Sequence, residues 1–234
     1  MSKRVFDDFD GFADEYRQIH NEGIRFTGAD SDHFSEQKIE EVRKHETSEH
    51  PLILDLGCGD GNSAAFFQKH FAGCEYIGLD TSVASVAVAQ ERDLLGTTFA
   101  HYDGFKVPYP ERSFDIVYIA CVLHHVEPEQ HKKLLSEVKR VLKSGGRLYI
   151  FEHNPLNPAT QYMVKTCPFD ENAVLLTSSY TRKMLRSLNF REISIDFTIF
   201  FPRHRIFRSL MRLEDYLSWL PFGGQYYARS VKGE

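Results

Sequence analysis

From Leu52 onward, short apolar runs alternate with amphipathic stretches, and most runs are stopped by glycine or an acid. LILDLG (52–57) predicts a buried strand entering a tight turn, because a continuous apolar segment suits a strand covered on both faces. NSAAFFQKH (62–70) keeps its apolar residues to one side and predicts a helix. The alternation continues with a strand at CEYIGLD (74–80), a helix at TSVASVAVAQERD (81–93) capped by Thr81 or Ser82, and strands at TTFAHYD (97–103) and SFDIVYIACV (113–122). An amphipathic helix over 128–143 ends at Ser-Gly-Gly, and RLYIFEH (147–153) forms a fifth strand. Strands separated by helices imply a parallel sheet with right-handed crossovers, helices on both faces and a ligand at the strands' carboxyl ends.

The flanks follow other patterns. Residues 5–45 read as helical, with Phe6, Phe9, Phe12 and Tyr16 at helical intervals and a break into two helices near Gly23 and 27–32. After position 154 a proline-rich NPLNP leads into a loop. A helix at 178–188, a long strand at 191–201, a last helix at 204–220 and a short strand at 225–231 complete the chain.

Composition narrows what such a fold serves. Apolar residues make up 42% and charged residues 26% of the 234 residues, ordinary globular values. A net charge of −5 and a pI near 6.1 give no overall nucleic-acid footprint. Residues 182–212, however, hold 8 Lys/Arg against 2 acids. Within 203–220, Ile206, Leu210, Leu213, Leu217 and Leu220 share one helical side, and Arg205, Arg208 and Arg212 lie together elsewhere. The favoured reading is a helix packing its apolar face on the sheet; peripheral contact with an anionic membrane is the alternative. Cys58, Cys74, Cys121 and Cys167 form no CxxC pair, which suits reduced thiols in the cytoplasm. MSKR is followed by no apolar leader, and no stretch is long enough to span a bilayer.

The chemistry starts at LDLGCGDG (54–61). Gly57, Gly59 and Gly61 make G-x-G-x-G, whereas a dinucleotide turn wants its third glycine where Asn62 stands. No Gly-Lys-Ser/Thr follows, so the turn is not a P-loop. Asp55, before the first glycine, suits a cationic or amine-bearing ligand better than a pyrophosphate. Asp80 ends the second strand, where a carboxylate can accept both ribose hydroxyls. Asp103, followed by Gly104, ends the third and can accept from an adenine amino group. Ala120 and Cys121, at the end of the fourth, are small enough to let backbone meet a ligand's polar end.

ILDLGCGDG (53–61), YIGLD (76–80), FDIVYIACVLHHV (114–126) and EVKRVLKSGGRLYIFE (137–152), in this order, resemble the class I S-adenosylmethionine-dependent methyltransferases. The likeness is greatest to the ubiquinone/menaquinone-methyltransferase-like branch and covers about residues 52–153. It implies a doubly wound, seven-stranded Rossmann-like sheet with an antiparallel last strand at 225–231 and an N-terminal helical cap. One domain then spans 1–234, as cap (1–50), cofactor-binding core (51–153) and acceptor-side segment with closing strands (154–234). The resemblance implies S-adenosylmethionine as cofactor. Asp55 and the Gly57–Gly61 turn, with Cys58 and Gly59, would hold the methionine part, Asp80 with Thr81 the ribose, Asp103 with Gly104 the adenine, and Ala120 the methionine end through backbone. Read from the helical pattern alone, Tyr16, with His20, either closes over the cofactor as a lid or packs in the core as part of an aromatic stripe. The chain departs from the family pattern at DGFKVPYP (103–110) and at 153–176, which faintly resembles a bacterial subgroup acting on sugars or lipids.

The expected reaction moves a methyl group to a small-molecule acceptor, sugar- or lipid-linked acceptors being open, with oxygen preferred over carbon or nitrogen as the attacking atom. His124 and His125 are the candidate bases, weighed against a scaffolding role. His125 is the choice, because neighbouring side chains point apart and Leu123 and Val126 look anchored in the core. A metal built from His124, His125, His131 and His153 is not expected, since neither HExxH nor a Cys/His zinc spacing occurs. NPLN (154–157) follows the wrong strand for an amino-methylating nucleic-acid motif. The rival functions are a non-catalytic S-adenosylmethionine-binding module, a nicotinamide oxidoreductase and an aminopropyl transferase.

Overall fold

Apolar runs at 52–56 and 114–120 leave almost no polar face, so both strands need cover on two sides and take the middle of a sheet. The computed structural model describes residues 28, 30–202, 207–211 and 213–234. Its elements are α1 (Ser31–His45), β1 (Leu52–Leu56), α2 (Asn62–His70), β2 (Glu75–Asp80), α3 (Val83–Gln90), β3 (Thr97–His101) and β4 (Phe114–Ala120). They continue with α4 (His131–Val141), β5 (Leu142–His153), α5 (Pro158–Thr166), α6 (Ser178–Ser187), β6 (Phe190–Thr198), α7 (Arg208–Met211), α8 (Glu214–Leu217) and β7 (Gln225–Lys232). Seven strands run in the order β3-β2-β1-β4-β5-β7-β6. β1 to β5 are parallel, and β7 is antiparallel to both neighbours, β5 and β6. This is the doubly wound sheet expected, with its antiparallel closing strand.

Two buried clusters cover the sheet. One joins Leu54, Leu56 and Ile119 to Leu134, Leu135 and Val138 of α4 and to Met184 and Leu185 of α6. The other joins Ile53, Tyr76 and Tyr118 to Phe67 of α2, Val86 of α3, and Ile39 and Val42 of α1. Helix α1 is therefore packed on the sheet. Its far end is tied down by Glu46, whose carboxylate accepts from Arg147 at 2.8 Å and from the Tyr149 hydroxyl at 2.7 Å. The earlier part of the expected cap, with Tyr16 and His20, lies outside the described residues.

Several expectations are corrected. The third strand stops at His101, short of Asp103. Helix α4 stops at Val141 instead of running to Lys143, because Leu142 already pairs with Phe114. Between that pair and Ile116 with Arg147 the register shifts, and Gly146 sits where a Cβ would meet the Lys143 and Asp115 carbonyls at 2.9 and 3.1 Å. The segment after NPLNP contains a helix as well as a loop: Asn157 caps α5 by accepting the Thr160 amide at 3.1 Å, with Pro158 in its first turn. The capping signal was in the sequence.

The helix expected at 204–220 appears among the described residues as the short α7 and α8, with Leu213 in a turn between them. Residues 203–206 and 212, with Arg205, Ile206 and Arg212, lie outside the described set. Leu210 and Leu213 are exposed, so a single apolar face packed on the sheet does not describe this stretch. No helix among the described residues is long and apolar enough to cross a membrane.

Candidate active site

The glycine turn leaves β1 and is fastened to the end of β2. The Gly57 and Cys58 amides donate to the Leu79 carbonyl at 2.7 and 3.2 Å, and the Gly59 amide to Asp80 Oδ2 at 2.8 Å. Asp80 Oδ1 accepts the Ser82 amide at 2.9 Å, so this carboxylate shapes the turn itself. Gly57 has φ +85°, and a Cβ there would run into a Val122 methyl. Gly59 has φ +52° but open space where its Cβ would stand. The first glycine serves packing, and the second leaves room for a ligand.

Asp55 is buried beneath this turn and accepts from the Tyr76 hydroxyl at 2.5 Å. Burial pushes its carboxyl up to about 7, the Asp80 charge adds to the shift, and hydrogen bonds from Tyr76 and Ser63 oppose it. A cationic ligand group brought to the turn would favour the ionised carboxylate.

At the end of β4 the chain makes a strained exit. Cys121 takes φ +58°, a left-handed conformation rare for a residue with a Cβ, while its amide bonds the Phe151 carbonyl at 2.8 Å. A single 3₁₀ turn, Leu123–His125, follows. Leu123 and Val126 are buried in the core, as expected. His131 supports the turn from beneath: its Nε2 lies 2.8 and 2.9 Å from the carbonyls of Leu123 and Val126, and its Nδ1 lies 3.0 Å from the Tyr180 hydroxyl.

The two histidines do not point apart. Their ring centroids are 4.2 Å apart, and both Nε2 atoms turn toward Asp170 Oδ1, at 3.7 Å from His124 and 3.4 Å from His125. A tight turn, unlike a strand, does not send successive side chains to opposite faces. His124 Nδ1 is 2.5 Å from buried Glu152 on β5, whose other oxygen accepts the Leu123 amide at 2.9 Å. Burial works against charge on His124, yet Glu152 and Asp170 hold its pKa up to about 9. Against its own burial, Asp170 is held well below the usual carboxylate range by both imidazoles and by His153.

Both regions line one cavity of about 280 Å³. Asp55, Gly57, Cys58, Gly59 and Ala120 border it, as do His124, His125 and Asp170. Its apolar lining includes Phe34 of α1, Met163 of α5, and Phe200 and Phe201 beyond β6. Asp80, Thr81, Asp103 and Gly104 do not border it. Asp103 is exposed, and its Oδ1 accepts the amides of Phe105 and Lys106 at 2.8 and 2.9 Å, which hold its carboxyl below its ordinary value. Asp170 and Glu152 were missed from sequence: they lie 45 and 27 positions beyond His125, and no motif joins them.

Residues 53–146 match the family described as Methyltransferase domain. This segment is a class I S-adenosylmethionine-dependent methyltransferase domain. Its cofactor is S-adenosylmethionine, and the open Gly59 cradle above a buried acid fits that ligand. The domain is 33% identical over 113 residues (48% of this chain, 41% of that protein) to the Mycobacterium leprae phthiotriol/phenolphthiotriol dimycocerosates methyltransferase. It is 34% identical over 106 residues (44% and 47%) to Thermus thermophilus demethylmenaquinone methyltransferase. With Mycolicibacterium smegmatis fatty-acid O-methyltransferase it shares 30% identity over 104 residues (44% and 37%). The chain thus spans less than half the length of each of these relatives. Among solved structures, an Archaeoglobus fulgidus SAM-dependent methyltransferase superimposes with a TM-score of 0.72 over 93% of this chain and 100% of that one, at 18% identity, a likeness of fold.

Proposed function

We propose that this chain transfers the methyl group of S-adenosylmethionine to a hydroxyl oxygen of a small, largely apolar acceptor. One observation carries the reading: a single cavity joins the Asp55–Gly59 turn, a His124–His125–Asp170 corner and an apolar wall of Phe34, Met163, Phe200 and Phe201. S-adenosylmethionine supplies an electrophilic methyl on a sulfonium. The protein's part is to hold an amine at Asp55, admit the ligand over Gly59, keep water out and take the acceptor's proton away at the histidine corner.

Of the two histidines, His125 faces the acceptor, because the Nδ1 of His124 is engaged by Glu152 and the ring is buried. Asp80 and Asp103 keep the ribose and adenine roles in this proposal, with Thr81 and Gly104 beside them. The relatives named for a fatty acid and for demethylmenaquinone favour a lipid-like acceptor, and the free cysteines agree with a cytoplasmic setting. Calorimetry should show S-adenosylhomocysteine binding and no response to NADH. Incubation with hydroxylated lipid and quinol acceptors should give a product heavier by one methylene in mass spectrometry. Tight NADH binding without any response to S-adenosylhomocysteine would overturn the reading.

A further inference from the structure

Three ligand-type side chains, from two distant parts of the chain, converge at one end of the cavity. One ligand atom each of His124, His125 and Asp170 lies within 4.8 Å of the other two, and both Nε2 atoms face Asp170 Oδ1. The two nitrogen–oxygen distances, 3.7 and 3.4 Å, exceed the ~2.7–2.9 Å of a charge-assisted hydrogen bond. They come close to the edge of a tetrahedron around an ion: donors about 2.1 Å from a tetrahedral centre stand roughly 3.4 Å apart. We propose that His124, His125 and Asp170 bind a divalent transition-metal ion of the zinc class, with an open position toward the cavity.

The surroundings favour an ion over a simple ion pair. His124 has its Nδ1 locked by Glu152, which the Leu123 amide holds in turn, so the imidazole is fixed with Nε2 aimed at Asp170. A buried carboxylate behind a histidine is the support that metal-binding imidazoles use. The His124 carbonyl also accepts the Val174 amide at 2.8 Å, which ties the histidine turn to the segment carrying Asp170. Another cluster of similar residue types, Glu36, Glu40 and His70, differs in kind: Lys69 lies 2.5 Å from Glu36, so that group already contains its own cation. Two imidazoles and one carboxylate suit zinc, cobalt or manganese better than magnesium or calcium.

Three protein ligands with an open place are the pattern of catalytic rather than structural zinc. The ion's role rests on the methyl-transfer reading above. An ion held by these three residues would acidify an acceptor hydroxyl, so that the proton-removing task given above to the histidine corner would be done by the ion with its two imidazoles and carboxylate, the proton passing on to bulk solvent as the methyl is transferred.

The test uses the full chain stripped of metal by a chelator. Titration with Co²⁺ should give one ion per chain and the strong visible absorption of a tetrahedral nitrogen–oxygen site, and Zn²⁺ should displace it. Asp170→Asn and His125→Gln should each abolish the absorption, with circular dichroism confirming their fold. Glu152→Gln should weaken Zn²⁺ binding by about 10–100-fold, whereas Asp55→Asn should bind Co²⁺ as the parent does. Absence of stoichiometric Co²⁺ and Zn²⁺ binding, or binding that survives both Asp170→Asn and His125→Gln, would overturn the site. Full turnover by metal-free protein would remove the ion and leave methyl transfer standing. Ion binding by a chain indifferent to S-adenosylhomocysteine would do the reverse.

Discussion

The two ends of the cavity are built in different ways. The end proposed for the cofactor is local: Asp55, Gly57, Cys58 and Gly59 are consecutive or nearly so, and they are fastened to Tyr76, Leu79 and Asp80 on the adjacent strand. The end proposed for the acceptor is assembled: His124 and His125 come from the exit of β4, Glu152 from β5, Asp170 from the segment after α5, and the apolar wall from α1, α5 and the end of β6. A turn that holds a common ligand is encoded in a few contiguous residues. A pocket that distinguishes acceptors can instead be changed piece by piece, from segments that vary independently.

That contrast can be broken at either end. The largest effect is expected from Gly59→Val, which should abolish detectable S-adenosylhomocysteine binding in calorimetry while leaving the circular dichroism spectrum folded, since the open space there admits a side chain only at the ligand's expense. Gly57→Val should differ, losing thermal stability as well, because its Cβ meets Val122.

At the acceptor end, His125→Ala should lower turnover by about 10²–10⁴-fold with S-adenosylhomocysteine affinity nearly unchanged. Equal losses of affinity and turnover would show that the two ends are not separable. Asp80→Ala should weaken S-adenosylhomocysteine by about 1.5–3 kcal/mol. Because Asp80 also holds the Gly59 and Ser82 amides, a parallel drop in melting temperature should accompany it.

The smallest effect is a pH dependence. An acid raised to about 7 by folding is neutral at low pH and must be ionised in the fold as pH climbs. The ligand-free protein should therefore lose stability as pH rises from the unfolded value, about 4, toward 7, and a bound amine should restore part of it. S-adenosylhomocysteine affinity should accordingly increase from about pH 6 to about pH 8, by at most about tenfold per unit. Asp55→Asn should flatten that dependence; a slope that persists in the variant would assign it to another group.

Much of this was legible beforehand because it depends on neighbours in sequence. LILDLG had to be a central strand, and Asn157 with Pro158 marked a helix start that the reading of 154–176 as loop passed over. The helix expected at 204–220 failed for the opposite reason. Its apolar spacing was genuine, but spacing says nothing about whether a surface is available to cover it, and Leu213 remains in an exposed turn.

The sequence by itself determined the sheet, its order of strands and helices, and the cofactor turn, since apolar periodicity and glycine placement are local properties that survive in any context. Tertiary structure alone decided that His124 and His125 face one carboxylate, that Glu152 supports one of them, and that Asp80, read from sequence as a ribose ligand, also holds the amides of the turn and its exit. The physical reason is distance along the chain. Hydrogen bonds and charges act over a few ångströms in space, and residues dozens of positions apart, such as His125 and Asp170, acquire those ångströms only when the β4, β5 and α5 segments pack together.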